Sequence, residues 1–133
     1  MLIKIVKDVD RGDLAVVNLN ELPFSPMRSF TVFGMMPGTV RGTHAHKTGK
    51  QLLLCLAGEI ILRYHDGVKA DTIVLEEGDS WYMAPMVWCE QQFSAGMDIL
   101  QVFCSDHYDS ADYINNFDEF IKAYHEKNTD LAI

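Results

Sequence analysis

The sequence predicts an all-β domain, a jelly roll or double-stranded β-barrel closed by one C-terminal helix. Three observations predict it. Short apolar segments recur along the chain, each ended by turn residues. The last part of the chain changes to helical spacing. The chain has 133 residues, 48% hydrophobic and 23% charged, enough for one ordinary folded domain with its own core. No linker, low-complexity tract or repeat interrupts it. The expectation is a single domain over 1–133, with the barrel over about 1–108 and the helix over about 110–126.

Taken in order, the segments are "LIKIV", "LAVVNL", "RSFTVFGM", "QLLLCLAG", "EIILRYH", "ADTIVLEE", "SWYMAP" and "DILQVFC". Arg11-Gly12-Asp13, Met36-Pro37-Gly38, His65-Asp66-Gly67 and Glu76-Glu77-Gly78-Asp79 punctuate them. "RYHDGVKADTIVL" reads as a hairpin with Asp66-Gly67 in its tight turn. After Ser110, the residues Tyr113, Ile114, Phe117, Phe120, Ile121 and Tyr124 form one helical stripe, read as core packing across the barrel. Ser110 is the expected N-cap, with Asp112 favourable in the first turn. A small jelly roll has a mouth wide enough for a ligand and edges that need cover. Pairing edge strands between two subunits covers them, so a homodimer with exchanged N-terminal strands is expected.

The formal net charge of −8 and a sequence pI near 4.9 argue against broad binding to nucleic acid or to an anionic membrane. A small anion held by a few cations is still allowed. Eight of the eleven Lys and Arg residues lie between Lys4 and Arg63, and none lies from Ala70 to Ile121, so phosphate partners are expected from the first half. The three cysteines, Cys55, Cys89 and Cys104, give no disulfide framework. "MLIKIVKDVD" reads as neither signal peptide nor membrane span. The expected setting is reducing cytoplasm.

The segment "RGTHAHKTGKQLLLCLAGEI" carries the chemistry. In a strand, residues i and i+2 share a face, so His44 and His46 project together with Ala45 behind them. Two imidazoles are costly to bury without partners. With Arg41 three residues earlier, they mark a site: metal ligands, or groups that move protons near neutral pH.

The H-x-H pair resembles cupins, the small double-stranded β-barrels. In metal-binding cupins a Glu follows the pair, and a third His follows a Pro turn. Here Gln51 fills the Glu place and Cys89, four residues after Pro85, fills the His place. A neutral amide is a poorer ligand than a carboxylate, although a thiolate could bind zinc. Metal is therefore the weaker reading, and a His44/His46/Gln51/Cys89 metal enzyme is the alternative. More specifically, "RGTHAHK", the Gln before "LLLCLAG", "WYMAPMVW", "SDHYDSADYINNFDEF" and the opening "DVDRGDLAVVNLNELPFSPMRSF" resemble the nucleotide-sugar 3,4-ketoisomerases, which act on dTDP-4-keto-6-deoxyglucose. The resemblance runs from about Val9 to Tyr124.

The resemblance implies a cupin-fold homodimer, an isomerase with no required metal or cofactor, and a dTDP-linked keto sugar as substrate. It implies that His44 is the base at the sugar carbons, that His46 shuttles protons between the two oxygens, and that Arg41 steadies the diphosphate or the oxyanion. The chain departs from the family pattern in three places. Phe30 stands in a tyrosine place, Cys89 stands where His or Arg is common, and "TGK" alters the loop after Lys47. In the family, the wall at the Cys89 position governs the C4 epimer together with the Arg11 position, where Arg11 matches the subgroup giving the galacto product. A non-catalytic sugar-nucleotide binder is the further alternative. Arg28 and Arg63, on or near strands, are additional candidates for the ligand phosphates. Pro85 is a candidate cis peptide.

Overall fold

The structure is a computed structural model and describes residues 1–131. A hairpin of β1 (Ile3–Val6) and β2 (Leu14–Val17) precedes the barrel strands. These are β3 (Arg28–Val32), β4 (Thr39–His46), β5 (Gln51–Ala57), β6 (Glu59–His65), β7 (Ala70–Glu76), β8 (Ser80–Met83), β9 (Trp88–Phe93) and β10 (Ile99–Cys104). A two-residue β11 (Tyr113–Ile114) and the helix α1 (Phe117–Leu131) follow. One sheet has the order β3-β10-β5-β8 and the other β11-β4-β9-β6-β7, so apart from the β6–β7 hairpin the strands from β3 to β10 alternate between sheets as in a jelly roll.

Three apolar layers follow from the alternation of each strand. Inward side chains, among them Leu53, Ile60, Leu62, Phe93, Leu100 and Val102, fill the space between the sheets. The outer face of the four-stranded sheet presents Leu52, Leu54 and Phe103, covered by Leu2, Ile3 and Val17 of the hairpin and by Leu22. The outer face of the five-stranded sheet presents Ala45 and Trp88, covered by Phe120 of α1 and by Ile114. Burying a phenylalanine as fully as Phe120 contributes about 2–3 kcal/mol, which is how the helix holds to the sheet. At the barrel end away from Gln51, the buried Asp98 carboxylate accepts from the Glu59 N–H at 2.7 Å and the Gly96 N–H at 3.1 Å, joining two loops. A Cβ on Gly58 would lie 2.0 Å from Asp98 Oδ1, so that turn needs glycine.

Four features differ from the sequence reading. The helix starts at Phe117, not near Ser110. Ser110–Asp112 is a single 3-10 turn in which Asp109 accepts from the Ala111 N–H, and Tyr113–Ile114 pairs with His46 and Ala45 as a sheet edge. The helix is capped instead by Asn116, whose side-chain oxygen accepts from the Glu119 N–H at 3.0 Å. The β6–β7 hairpin forms, but through four residues: Asp66 accepts from the N–H groups of Val68 and Lys69, with Gly67 at φ +102°. "WCEQQF" is a central strand although it lacks the β-branched residues that advertise one. The bond before Pro85 is trans, since no cis peptide occurs among the described residues.

Candidate functional site

Strand β4 builds the site. Thr39 faces Phe93 and Arg41 faces Gln91, yet His44 faces Cys89, so β4 spends one extra residue over that step. This is a β-bulge, with Gly42 at φ +67° supplying the left-handed backbone it needs. Its consequence is geometric. In a regular strand, residues three apart point to opposite faces. The bulge puts Arg41 on the same inward face as His44 and His46, while Ala45 packs outward under α1.

Between the free edge of β3 and the edge of β4 lies a hollow of about 260 Å³. Arg28, Phe30, Arg41, His44, Gln51 and Gln91 line it, together with Tyr108 and Tyr113 from the tail. The His44 and His46 rings stand edge to face, with centroids 4.8 Å apart. Tyr113 lies against both, at 4.9 Å from His44 and 4.4 Å from His46. One guanidinium nitrogen of Arg28 donates to the Tyr113 hydroxyl at 3.5 Å, and that guanidinium sits 5.3 Å from the Phe30 ring centre and 5.5 Å from that of Tyr108. Among the described residues its Nε has no partner and no carboxylate pairs with the guanidinium, a half-buried cation turned to the hollow.

Electrostatics separate the two histidines. Burial, and then the neighbouring His46, pushes the His44 pKa down to about 4, so the ring is neutral at physiological pH. Burial also lowers that of His46, opposed by Asp112, whose Oδ2 is 3.3 Å from His46 Nδ1. Asp112 is itself held in place: it accepts from the Thr48 N–H and hydroxyl, both at 2.8 Å, and from the Gly49 N–H at 3.1 Å. Burial alone would raise the Asp112 pKa, but the Thr48 and Gly49 bonds and His46 outweigh it and hold the carboxyl below its usual range. Asp112 thus favours the His46 tautomer with the proton on Nδ1. The buried Nε2, which has no partner among the described residues, is then a free acceptor.

The structure gathers Arg28, Phe30, Arg41, His44 and Gln51 around one hollow, with His46 against its wall, and separates the remaining candidates. Arg11 is exposed in the β1–β2 connection, where its Nε donates to Asp8 at 2.7 Å; a short turn closed by Asp8 holds it away from the histidines of its own chain. Arg63 donates to Gln92 at 2.7 Å and borders a different, more open groove with Tyr64, Trp88 and Phe117. Period-2 alternation places it on the outward face of β6, opposite Glu90. Cys89 is fully buried in the apolar interior, where burial pushes its thiol up to about 12. It offers neither a pocket wall nor a thiolate ligand. Gln51 donates its amide to Cys104 Sγ at 3.5 Å. Among the described residues, no group of three or more His, Cys, Asp or Glu side chains is arranged to hold a metal.

Sequence reasoning missed Tyr113 and Asp112, which helical spacing assigned to packing and to a helix turn, and also Tyr108 and Gln91. One signal was available: the tail segment "SADY" carries an acid and a tyrosine ahead of the true helix cap.

The fold and site define a cupin-type jelly roll whose H-x-H strand faces a cation-lined hollow. The chain belongs to the FdtA family, described as WxcM-like, C-terminal, whose model matches residues 1–125. It is 35% identical over 114 residues to a TDP-4-oxo-6-deoxy-alpha-D-glucose-3,4-oxoisomerase of Aneurinibacillus thermoaerophilus, covering 84% of this chain and 82% of that protein. The crystal structure of QdtA, a sugar 3,4-ketoisomerase from Thermoanaerobacterium thermosaccharolyticum in complex with TDP, superposes with a TM-score of 0.82 at 28% identity, covering 94% of this chain and 92% of the other. WlaRB, a TDP-quinovose 3,4-ketoisomerase from Campylobacter jejuni, superposes at 0.77 with 32% identity, covering 91% and 94%.

Proposed function

We propose that the chain is a 3,4-ketoisomerase of a TDP-linked 4-keto-6-deoxyhexose, working by histidine-mediated proton transfer without a metal. The observation that carries this reading is the pairing of a neutral His44 with an Asp112-oriented His46 on one face, beside two arginines that no carboxylate pairs with among the described residues. The activities of the relatives named above support it. A hollow of about 260 Å³ is the size of a sugar ring rather than of a whole nucleotide sugar, which leaves the diphosphate and nucleoside at the mouth, near Arg41 and Tyr108.

Each step follows from a group in place. His44, unprotonated, removes the proton from C3, and the electron pair forms the C3–C4 double bond of an enediol as the C4 carbonyl oxygen gains charge. Arg28, Arg41 and the Tyr113 hydroxyl are the donors at hand for that oxygen. His46 accepts the O3 proton at Nε2 and delivers a proton to O4, with Asp112 stabilising the imidazolium at Nδ1. The proton on His44 exchanges with solvent at the mouth of the hollow, and His44 then delivers a proton to C4, leaving the ketone at C3. Gln51 and the inward thiol of Cys89 supply no anionic ligand beside the pair, so catalysis rests on these donors rather than on a Lewis acid.

The molecule acts as a homodimer with exchanged N-terminal strands. Val6, Val9, Leu14 and Val16 of the hairpin and Phe33 and Met36 beyond β3 are exposed apolar side chains that a second copy would cover. Exchange would also carry Arg11 away from its own barrel. The three unpaired thiols suit reducing cytoplasm, and no helix among the described residues is long and apolar enough to cross a membrane.

The test is a proton NMR time course with TDP-4-keto-6-deoxyglucose in deuterated water. We expect a 3-keto product carrying deuterium at C4, unaffected by a chelator, and no exchange with His44→Asn. A parent protein that binds the sugar nucleotide without converting it would make the chain a binder. Loss of turnover with chelator, restored by added zinc or iron, would make it a metal enzyme.

A further inference from the structure

Gln91 is a buried residue whose amide opens onto the hollow and has no protein partner among the described residues. It is 7% exposed, lies on the inward face of β9 opposite Arg41, and lines the hollow with His44. Its amide makes no hydrogen bond among the described residues, whereas Gln51, the other buried glutamine, is bonded to Cys104. An amide left free at a pocket wall is bonded by water, or by whatever enters the pocket and displaces that water. The backbone beside it is shaped to admit it. A Cβ on Gly42 would lie 2.9 Å from both Cδ and Nε2 of Gln91 and 3.2 Å from Oε1. The glycine of the bulge therefore serves twice, adopting the left-handed backbone and leaving room for this side chain.

We propose that Gln91 is a substrate-contacting residue that holds the reacting oxygens of the sugar. This rests on the ketoisomerase reading of the same site. Ketoisomerisation exchanges a carbonyl and a hydroxyl between neighbouring carbons. The carbonyl needs a donor and the hydroxyl an acceptor, and the needs reverse as the reaction proceeds. A primary amide offers both, Nε2–H and Oε1, without changing charge or taking part in proton bookkeeping. Phe30, on the facing edge of the hollow, has no polar group to serve either oxygen.

The experiment compares the parent with Gln91→Met, a near-isosteric apolar change, and with Gln91→Glu, which keeps the shape but withdraws the Nε2 donor. Turnover of TDP-4-keto-6-deoxyglucose, affinity for TDP alone and thermal midpoint are measured for all three. The expected result for Met is a fall in kcat/KM of about 100-fold, the usual effect of removing one well-placed donor. TDP affinity stays within twofold, and the thermal midpoint is unchanged, because the amide makes no bond within the protein for the substitution to break. The Glu variant is also at least about 10-fold slower. Gln91→Met retaining kcat/KM within twofold overturns the proposal while leaving the ketoisomerase reading intact. So does an equal loss of TDP and sugar-nucleotide binding, or a lowered midpoint, either of which marks a structural amide. A parent protein inert toward the keto sugar overturns both readings.

Discussion

The depressed pKa of His44 predicts a pH-dependent loss of stability that this one ring explains. The perturbation is a change from about pH 7 to about pH 4, applied to the parent and to His44→Asn. Unfolded, the imidazole titrates near 6.5; folded, burial and then His46 bring it to about 4. Between those values the unfolded chain binds more protons than the folded one, so the contribution is whole above about pH 6.5 and is lost as the pH falls toward 4. The gap between 6.5 and about 4, at about 1.4 kcal/mol per pH unit, sets a ceiling of about 3 kcal/mol. Because the ring opens partly to solvent at the hollow's mouth, we expect about 2 kcal/mol. For 133 residues at about 2.1 cal/mol/K each, that is about 7 °C in melting temperature. The assay is urea unfolding of both proteins at equal concentration and at both pH values. Titrating groups other than the adjacent His46 cancel in the difference, so the parent should lose about 2 kcal/mol relative to the variant. A difference that stays constant across the range would refute a buried neutral His44. In the same pH range, kcat/KM should be flat above about pH 5 and fall below it, since that quantity reports the free enzyme's base.

Other perturbations reach different parts of the site. Asp112→Asn removes the charge that opposes the burial-driven fall of the His46 pKa, along with charge-assisted bonds to Thr48 and Gly49. Stability should drop by about 1–2 kcal/mol, and kcat should fall at least about tenfold with KM little changed, measured by steady-state kinetics; an unchanged kcat would deny Asp112 its orienting role. Cys89, with its thiol pushed up to about 12 inside the apolar interior, should resist a thiol reagent at neutral pH until the protein is unfolded. Fast modification of the native protein, traced to Cys89 by peptide mapping, would place that side chain at the pocket wall after all.

Several parts of the site were legible because they depend on local rules. Period-2 alternation is enough to put His44 and His46 on one face and Ala45 on the other. Cys89 was placed at the pocket wall from the pattern after Pro85, whereas the structure packs it among apolar side chains. Cys89 and Gln91 share the inward face of β9, but Cys89 lies deeper, in the apolar cluster with Phe93 and Leu62, while Gln91 reaches the hollow. Arg63 was grouped with the site as a cation on or near a strand, but charge in a sequence carries no direction.

The sequence by itself determined the strand pattern, the glycine and aspartate turns, a closing helix and the shared face of the histidine pair. Each follows from backbone periodicity or from the φ a residue tolerates. Only the tertiary structure decided which residues complete the site. The Gly42 bulge exists because β4 and β9 pair out of step, and it alone turns Arg41 inward beside His44. Tyr113 and Asp112 reach the pair because the tail pairs with β4 as an edge strand before the helix begins. Gln91 matters because its neighbour across the sheet lacks a Cβ. These are contacts between segments distant in the chain, set by register and by the space left between side chains, and no local rule encodes them.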